Sequence, residues 1–219
     1  MTRLFYGHWL SVRWTVSPLT APRPLLFCSG CGQTAAFETS GKFRLNANGK
    51  RLDAWLLYRC SLCETTWKRP VVERQAVQAL DPGVLGALQS NDAALAKSFA
   101  FDLAGLRRFS GEIEICGDVT VQKAVISGPN CTTSRIEIEF SLPHPTAVRA
   151  DRVLARELGL SRTRIAGLAR QGKVRAALKG AYQLRKPVTD GLQVHIDLSD
   201  LQDAARVLSL ASGQRPRDL

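Results

Sequence analysis

Apolar residues change their spacing repeatedly along this chain, and each change marks a different kind of element. From Lys42 to Ala47, Phe43 and Leu45 take one side of an extended strand while Lys42, Arg44 and Asn46 take the other. Asn48-Gly49 is the preferred dipeptide of a tight type I′ turn, and residues 51–59 return as the partner strand. Residues 71–109 are rich in Ala, Leu and Gln, and Asp81-Pro82 and Asn91-Asp92 are helix-start signals ahead of apolar-periodic stretches. Strict alternation resumes in Glu-Ile-Glu-Ile at 112–115 and Ile-Glu-Ile-Glu-Phe at 136–140, on either side of a loop at Gly128-Pro129-Asn130.

Pro143-His144-Pro145 reads as a linker into a helical pair. Val153, Leu154 and Leu158 share one side of the first helix, and Arg149, Arg152 and Arg156 recur on another. Ser161 is the N-cap of a second helix with Ile165, Leu168 and Ala169 as its buried stripe, and Arg162, Arg164 and Arg170 project from it. Gly172 suits the stop, Lys173-Val174-Arg175 opens a strand, and Val194, Ile196 and Leu198 close one after Asp190-Gly191. Residues 212–219 read as a frayed end. The expectation is an α+β chain in three successive parts: 12–70, a helical then β middle region at 71–145, and 146–210.

A chain of 219 residues with 45% hydrophobic and 22% charged residues has the material for a folded core. Its longest apolar runs, such as Trp55-Leu56-Leu57-Tyr58, fall far short of the roughly 20 residues of a membrane span. His8 and Arg13 interrupt the apolar start, and no small-residue cleavage site follows it. The expected setting is the cytoplasm, where six cysteines serve as metal ligands or structural thiols rather than disulfides.

Charge sharpens the picture because it is regional. The chain carries +11 overall. Residues 149–186 hold eleven Lys and Arg against Asp151 and Glu157, or +9, leaving 19 basic and 17 acidic residues, +2, for the remainder. A cluster of that sign suits a polyanionic partner.

Cys28-Ser-Gly-Cys31 and Cys60-Ser-Leu-Cys63 carry the strongest chemistry. Each pair sets two thiolates on one side of a turn, and the 42–59 hairpin between them brings the turns together as a tetrahedral site for Zn²⁺. Gly30 and Gly32 suit turns that need positive φ or close backbone approach. The natural reading is a zinc ribbon. Four thiolates close the coordination sphere, so the expected ion is structural and there is one of it. No thioredoxin-like pattern surrounds either pair. Cys116 and Cys131 read as inert thiols, and His8, His144 and His195 as ordinary surface or strand residues. Glu112, Glu114, Glu137 and Glu139 belong to the solvated faces opposite isoleucines. With no phosphate-binding loop or nucleophile elbow, no catalytic residue is assigned and the chain is expected to be non-enzymatic.

The basic tail resembles the alpha-L RNA-binding motif of small-subunit ribosomal protein four, many pseudouridine synthases and tyrosyl-tRNA synthetase tails. The matching residues are Asp151-Arg152-x-Leu154, Leu160-Ser161-Arg162, Leu168, Gly172-Lys173-Val174, Arg185-Lys186-Pro187 and Asp190-Gly191-x-x-Val194, within 149–198. The chain departs from that pattern at 176–180. The resemblance implies RNA contacts at Arg152, Arg162, Arg164, Lys173 and Arg175; Arg149, Arg156 and Arg170 extend the same basic face. The partner expected is structured RNA, ribosomal or transfer, with Lys42, Arg44, Lys50 and Arg51 as either a second contact or a solvated hairpin edge. Residues 151–171 also fit a helix-turn-helix, which makes DNA the rival partner, and a zinc or thiol enzyme is a further alternative. As a whole the chain resembles an uncharacterised bacterial family that joins a zinc ribbon to an alpha-L-like tail. The segment most specific for it is the run from Lys42 to Cys63.

Overall fold

In a computed structural model, which describes residues 9–128, 133–178, 180–181 and 184–214, the first strand pairs with strands from far along the sequence. β1 (Trp9–Pro18) runs parallel to β8 (Arg135–Ser141) and antiparallel to β7 (Val119–Ser127). Leu10, Val12, Trp14 and Val16 alternate on its buried side, so the strand is apolar enough to sit deep in a sheet. The chain therefore divides into two compact units that interrupt one another: Thr20–Cys116, and Met1–Leu19 joined with Gly117–Leu219. These limits differ from a serial division at 70 and 145.

The discontinuous unit holds a six-stranded sheet in the order β10-β9-β11-β8-β1-β7, with β9 (Val174–Leu178), β10 (Gly180–Ala181) and β11 (Gln193–Asp197). Three helices, α4 (Ala150–Leu158), α5 (Arg162–Arg170) and α6 (Ala204–Ser212), share its core. Ile136, Ile138 and Phe140 of β8 join Val153, Leu154, Leu158, Ile165 and Leu168 of the helices in one apolar cluster. Residues 146–210 thus do not stand apart as their own module, because β1, β7 and β8 complete the sheet on which the two basic helices pack. Glu137 and Glu139 alternate with the buried isoleucines, as expected of a solvated face. Trp14 is fully buried, donates from Nε1 to the Ala211 carbonyl at 2.9 Å, and meets Phe140 edge-on. Lys123 lies over the Trp14 ring and pairs with Glu157 at 2.9 Å.

The helix ends follow the sequence closely. Ser161 Oγ accepts from the Arg164 N–H, Gly159 ends α4 in the left-handed region, and Gly172 has φ +71° after α5. Ser212 is the last residue of α6 and Gly213 caps it, while residues 215–219 of the end read as frayed lie outside the described residues.

The continuous unit is an antiparallel sheet in the order β5-β4-β3-β2-β6. Its strands are β2 (Arg23–Cys28), β3 (Gln33–Asn48), β4 (Arg51–Cys60), β5 (Thr66–Ala76) and β6 (Ile113–Glu114). Asn48 pairs with Arg51 across the expected turn. A break in register between Thr39 and Phe43 bends β3 and aims the Phe43 N–H at Asn91 Oδ1, 2.6 Å away. Asn91 lies between α1 (Pro82–Ser90) and α2 (Ala93–Phe101), which are capped by Asp81 and Asp92 as the sequence suggests. Buried Arg69 of β5 donates to the Phe99 carbonyl and pairs with Asp102, which caps α3 (Leu103–Arg107). The 112–115 alternation forms only the short β6.

Candidate metal centre and basic face

The two Cys-x-x-Cys turns are the connections of two hairpins. One joins β2 to β3, where Cys28 pairs with Gln33; the other joins β4 to β5, where Arg59 pairs with Thr66. Because β3 lies beside β4 in the same sheet, both turns emerge at one end of it. They are built alike. The Gly32 N–H donates to the Cys28 carbonyl at 2.8 Å, and the Glu64 N–H to the Cys60 carbonyl at 3.0 Å. Gly32 and Glu64, each following the second cysteine of its pair, adopt φ +69° and +61°. Gly32 therefore supplies the positive φ, whereas Gly30 supplies close approach: a Cβ there would fall 2.2 Å from Thr65 Oγ1 and 3.0 Å from Cys63 Sγ.

The four sulfurs lie within 4.8 Å of one another. Cys28 to Cys63 and Cys31 to Cys60 are 3.5 Å apart, and Cys31 to Cys63 is 3.1 Å. A tetrahedral Zn²⁺ with four bonds of about 2.3 Å sets its sulfurs about 3.8 Å apart, within the span of this donor set. Cys28 and Cys60 are buried while Cys63 is exposed. Hydrogen bonds with the Thr65 hydroxyl, 3.1 Å away, and with the Thr65 backbone hold the Cys63 thiol down to about 6. The backbone N–H of Cys31 lowers Cys28, and Cys63 together with desolvation raises Cys31. A thiolate is thus stabilised on each of the two turns, which is the charge state that a cation recruits.

In the other unit the structure sorts the eight sequence-predicted cations into two sets. Arg149 makes a two-point contact with Asp151, at 2.7 and 3.1 Å, and Arg162 approaches the same carboxylate at 3.2 Å. Asp151 is 8% exposed, in the first turn of α4. Arg156 pairs with Glu157 at 2.8 Å and donates to the Val119 carbonyl, and Lys173 pairs with Asp200. These four are partly neutralised by the protein itself. Arg152, Arg164 and Arg170 are exposed and make no ion pair among the described residues. Arg175 donates to the Gly172 carbonyl, at 3.0 Å. A cleft of about 830 Å³ opens between α5 and β9, with Arg162, Arg170 and Arg185 around Ile165, Ala169 and Val174.

Cys131, His8, Pro129, Asn130 and parts of the 176–184 and 212–219 segments lie outside the described residues. Sequence reasoning missed the carboxylates that neutralise the basic face. Asp151 and Glu157 are visible in the sequence as the two acids among the arginines, but their burial depends on tertiary packing. Lys42, Arg44, Lys50 and Arg51, for which the sequence allows either a contact or a solvated edge, are all exposed at the β3–β4 hairpin. No described helix is long and apolar enough to cross a membrane.

A family model described as "Protein of unknown function (DUF1062)" matches residues 45–179. No curated protein and no solved structure matches the chain.

Proposed function

Since the chain belongs to the DUF1062 family, matched over more than half its length and carrying no assigned activity, we propose its function from its own residues: a non-enzymatic RNA-binding protein with one structural Zn²⁺. Cys28, Cys31, Cys60 and Cys63 hold the ion in a zinc-ribbon arrangement. Four thiolates leave no open position for water, so the metal supplies folding energy rather than a nucleophile. The observation that carries the RNA reading is the set of exposed guanidinium groups without acidic partners among the described residues, Arg152, Arg164 and Arg170, on two adjoining helices. Arg175 follows on the neighbouring strand. Guanidinium groups spread over helices and strand suit the shape and phosphate recognition of structured RNA, ribosomal or transfer, in the manner of the alpha-L motif. The setting proposed is the cytoplasm.

The ion pairs change the expected strength of binding. Five phosphate contacts imply a slope of log affinity against log salt of about −3.5 to −4.5. With Arg162 and Lys173 held by carboxylates, three or four contacts remain and the slope falls to roughly −3. A filter-binding titration across salt, using transfer RNA and duplex DNA, tests this. The Arg152→Glu/Arg164→Glu/Arg170→Glu variant is expected to flatten the slope for RNA. Affinity insensitive to salt sinks the reading, and preference for the DNA duplex moves it to the helix-turn-helix alternative.

A further inference from the structure

The sheet of the discontinuous unit has a second side, turned away from α4, α5 and α6. Along β1 the residues alternating with the buried ones are Trp9, Ser11, Arg13 and Thr15. Trp9 stands beside Arg135 in the strand register, Arg135 beside Asp197, and His195 beside Arg175. These residues and Lys173 border a cleft of about 260 Å³. We propose that this corner is a stacking site for one unpaired nucleobase, with Trp9 and His195 as its aromatic surfaces and Arg175 holding the adjoining phosphate. The assignment rests on the RNA reading and names the part of the RNA that the helices do not read.

Three observations support it. The Trp9 and His195 rings are half-buried and meet edge-on, centroids 5.4 Å apart at 83°, so neither is stacked flat on the other. The Arg135 guanidinium lies 5.6 Å from the Trp9 centroid and is steadied by Asp197 at 3.6 Å, adding a planar cation on which a base stacks. The charge is that of an anion site: Arg135, Lys173 and Arg175 outnumber Asp197 in the lining, and with Asp200, which pairs with Lys173, the balance is +1. Glu137 stands beside His195 in the strand register but does not line the cleft, and Glu139 lies further along the same face, held by Arg13 at 3.0 Å. The volume lies below the roughly 300–1,000 Å³ of pockets that enclose whole small molecules, and suits a single planar group with its phosphate left outside.

The test uses the full chain with a stem–loop RNA whose single-stranded loop carries a fluorescent adenine analogue, and the blunt duplex of the same stem. Wild type is expected to bind the stem–loop more tightly than the duplex and to quench the loop fluorophore. Trp9→Ala weakens stem–loop binding about tenfold or more, abolishes the quenching and leaves duplex binding and its salt slope unchanged. Trp9→Phe restores both signals. Arg152→Glu, by contrast, weakens both RNAs. His195→Ala, whose side chain lies outside the apolar core, provides the same loss if Trp9→Ala fails to fold. Wild-type affinity and quenching in folded Trp9→Ala and His195→Ala overturn the stacking site while leaving the RNA reading in place. Absence of salt-sensitive binding to either RNA by wild type, including a wild type that binds only a protein, overturns both.

Discussion

The two units reach stability by different means. Among the described residues, the discontinuous unit buries 25 apolar side chains in one cluster, and the continuous unit buries 13, two of them metal-site cysteines. The first unit is held by helices packed on a sheet. The second draws two hairpin turns together through four sulfurs. Charge divides the same way: the discontinuous unit carries 18 basic and 10 acidic residues, +8, against 12 and 9, +3, in the other. The basic excess therefore lies on the unit stabilised by packing, while the other gathers its most reactive side chains at one end of its sheet.

The largest effect expected from breaking this contrast is metal removal. Structural zinc contributes apparent free energies of about 10–16 kcal/mol, comparable to the whole stability of a domain. Chelation, or Cys60→Ser, is expected to abolish amide-exchange protection across Thr20–Cys116 while β8, β11 and α4 keep theirs. Simultaneous loss in both units erases the distinction. Next comes the packed core. Leu154→Ala, at a fully buried site, is expected to cost about 2–5 kcal/mol in denaturant titrations, equally with and without chelator.

A smaller effect sharpens the account of charge. Asp151→Asn removes the carboxylate shared by Arg149 and Arg162 and is expected to cost about 1–2 kcal/mol of stability. It also frees two guanidinium groups, so RNA affinity at low salt rises and the salt slope steepens. The least effect is expected at Asp197. Donation from the Ser199 hydroxyl and N–H holds its carboxyl below the ordinary value. A depressed folded-state pKa stabilises above the unfolded value of about 3.9 and is lost as pH falls through the folded value. Asp197→Asn therefore trims stability at neutral pH by less than about 1 kcal/mol, a difference that disappears in thermal melts below about pH 4.

The sequence disclosed what is local. The cysteine spacing, the Asn48-Gly49 turn, the caps at Asp81, Asp92 and Ser161 and the stop at Gly172 each act within a few residues, and the structure shows those elements. What stayed hidden depends on distant partners. Strand β1 is not among the elements predicted from the sequence, and nothing near Trp9 says that Arg135 lies beside it. The same holds for Lys123 with Glu157, and for Trp9 with His195, which no spacing rule connects. The basic face was legible as composition, and only packing revealed that Asp151 and Glu157 silence part of it.

The placement of β1 has a consequence for biogenesis. This strand leaves the ribosome before every strand it pairs with, Leu10, Val12 and Trp14 bare, and Arg135, which stands beside Trp9, is made 126 residues later. At about 5–20 residues per second the wait is roughly 6–25 s, long enough for the whole intervening hairpin unit to emerge. Backbone pairs bracket the interruption, Pro18 with Val119 in one unit and Arg23 with Glu114 in the other. The intervening unit can therefore close and bring its four cysteines together while residues 10–16 of the nascent chain still wait for their partners.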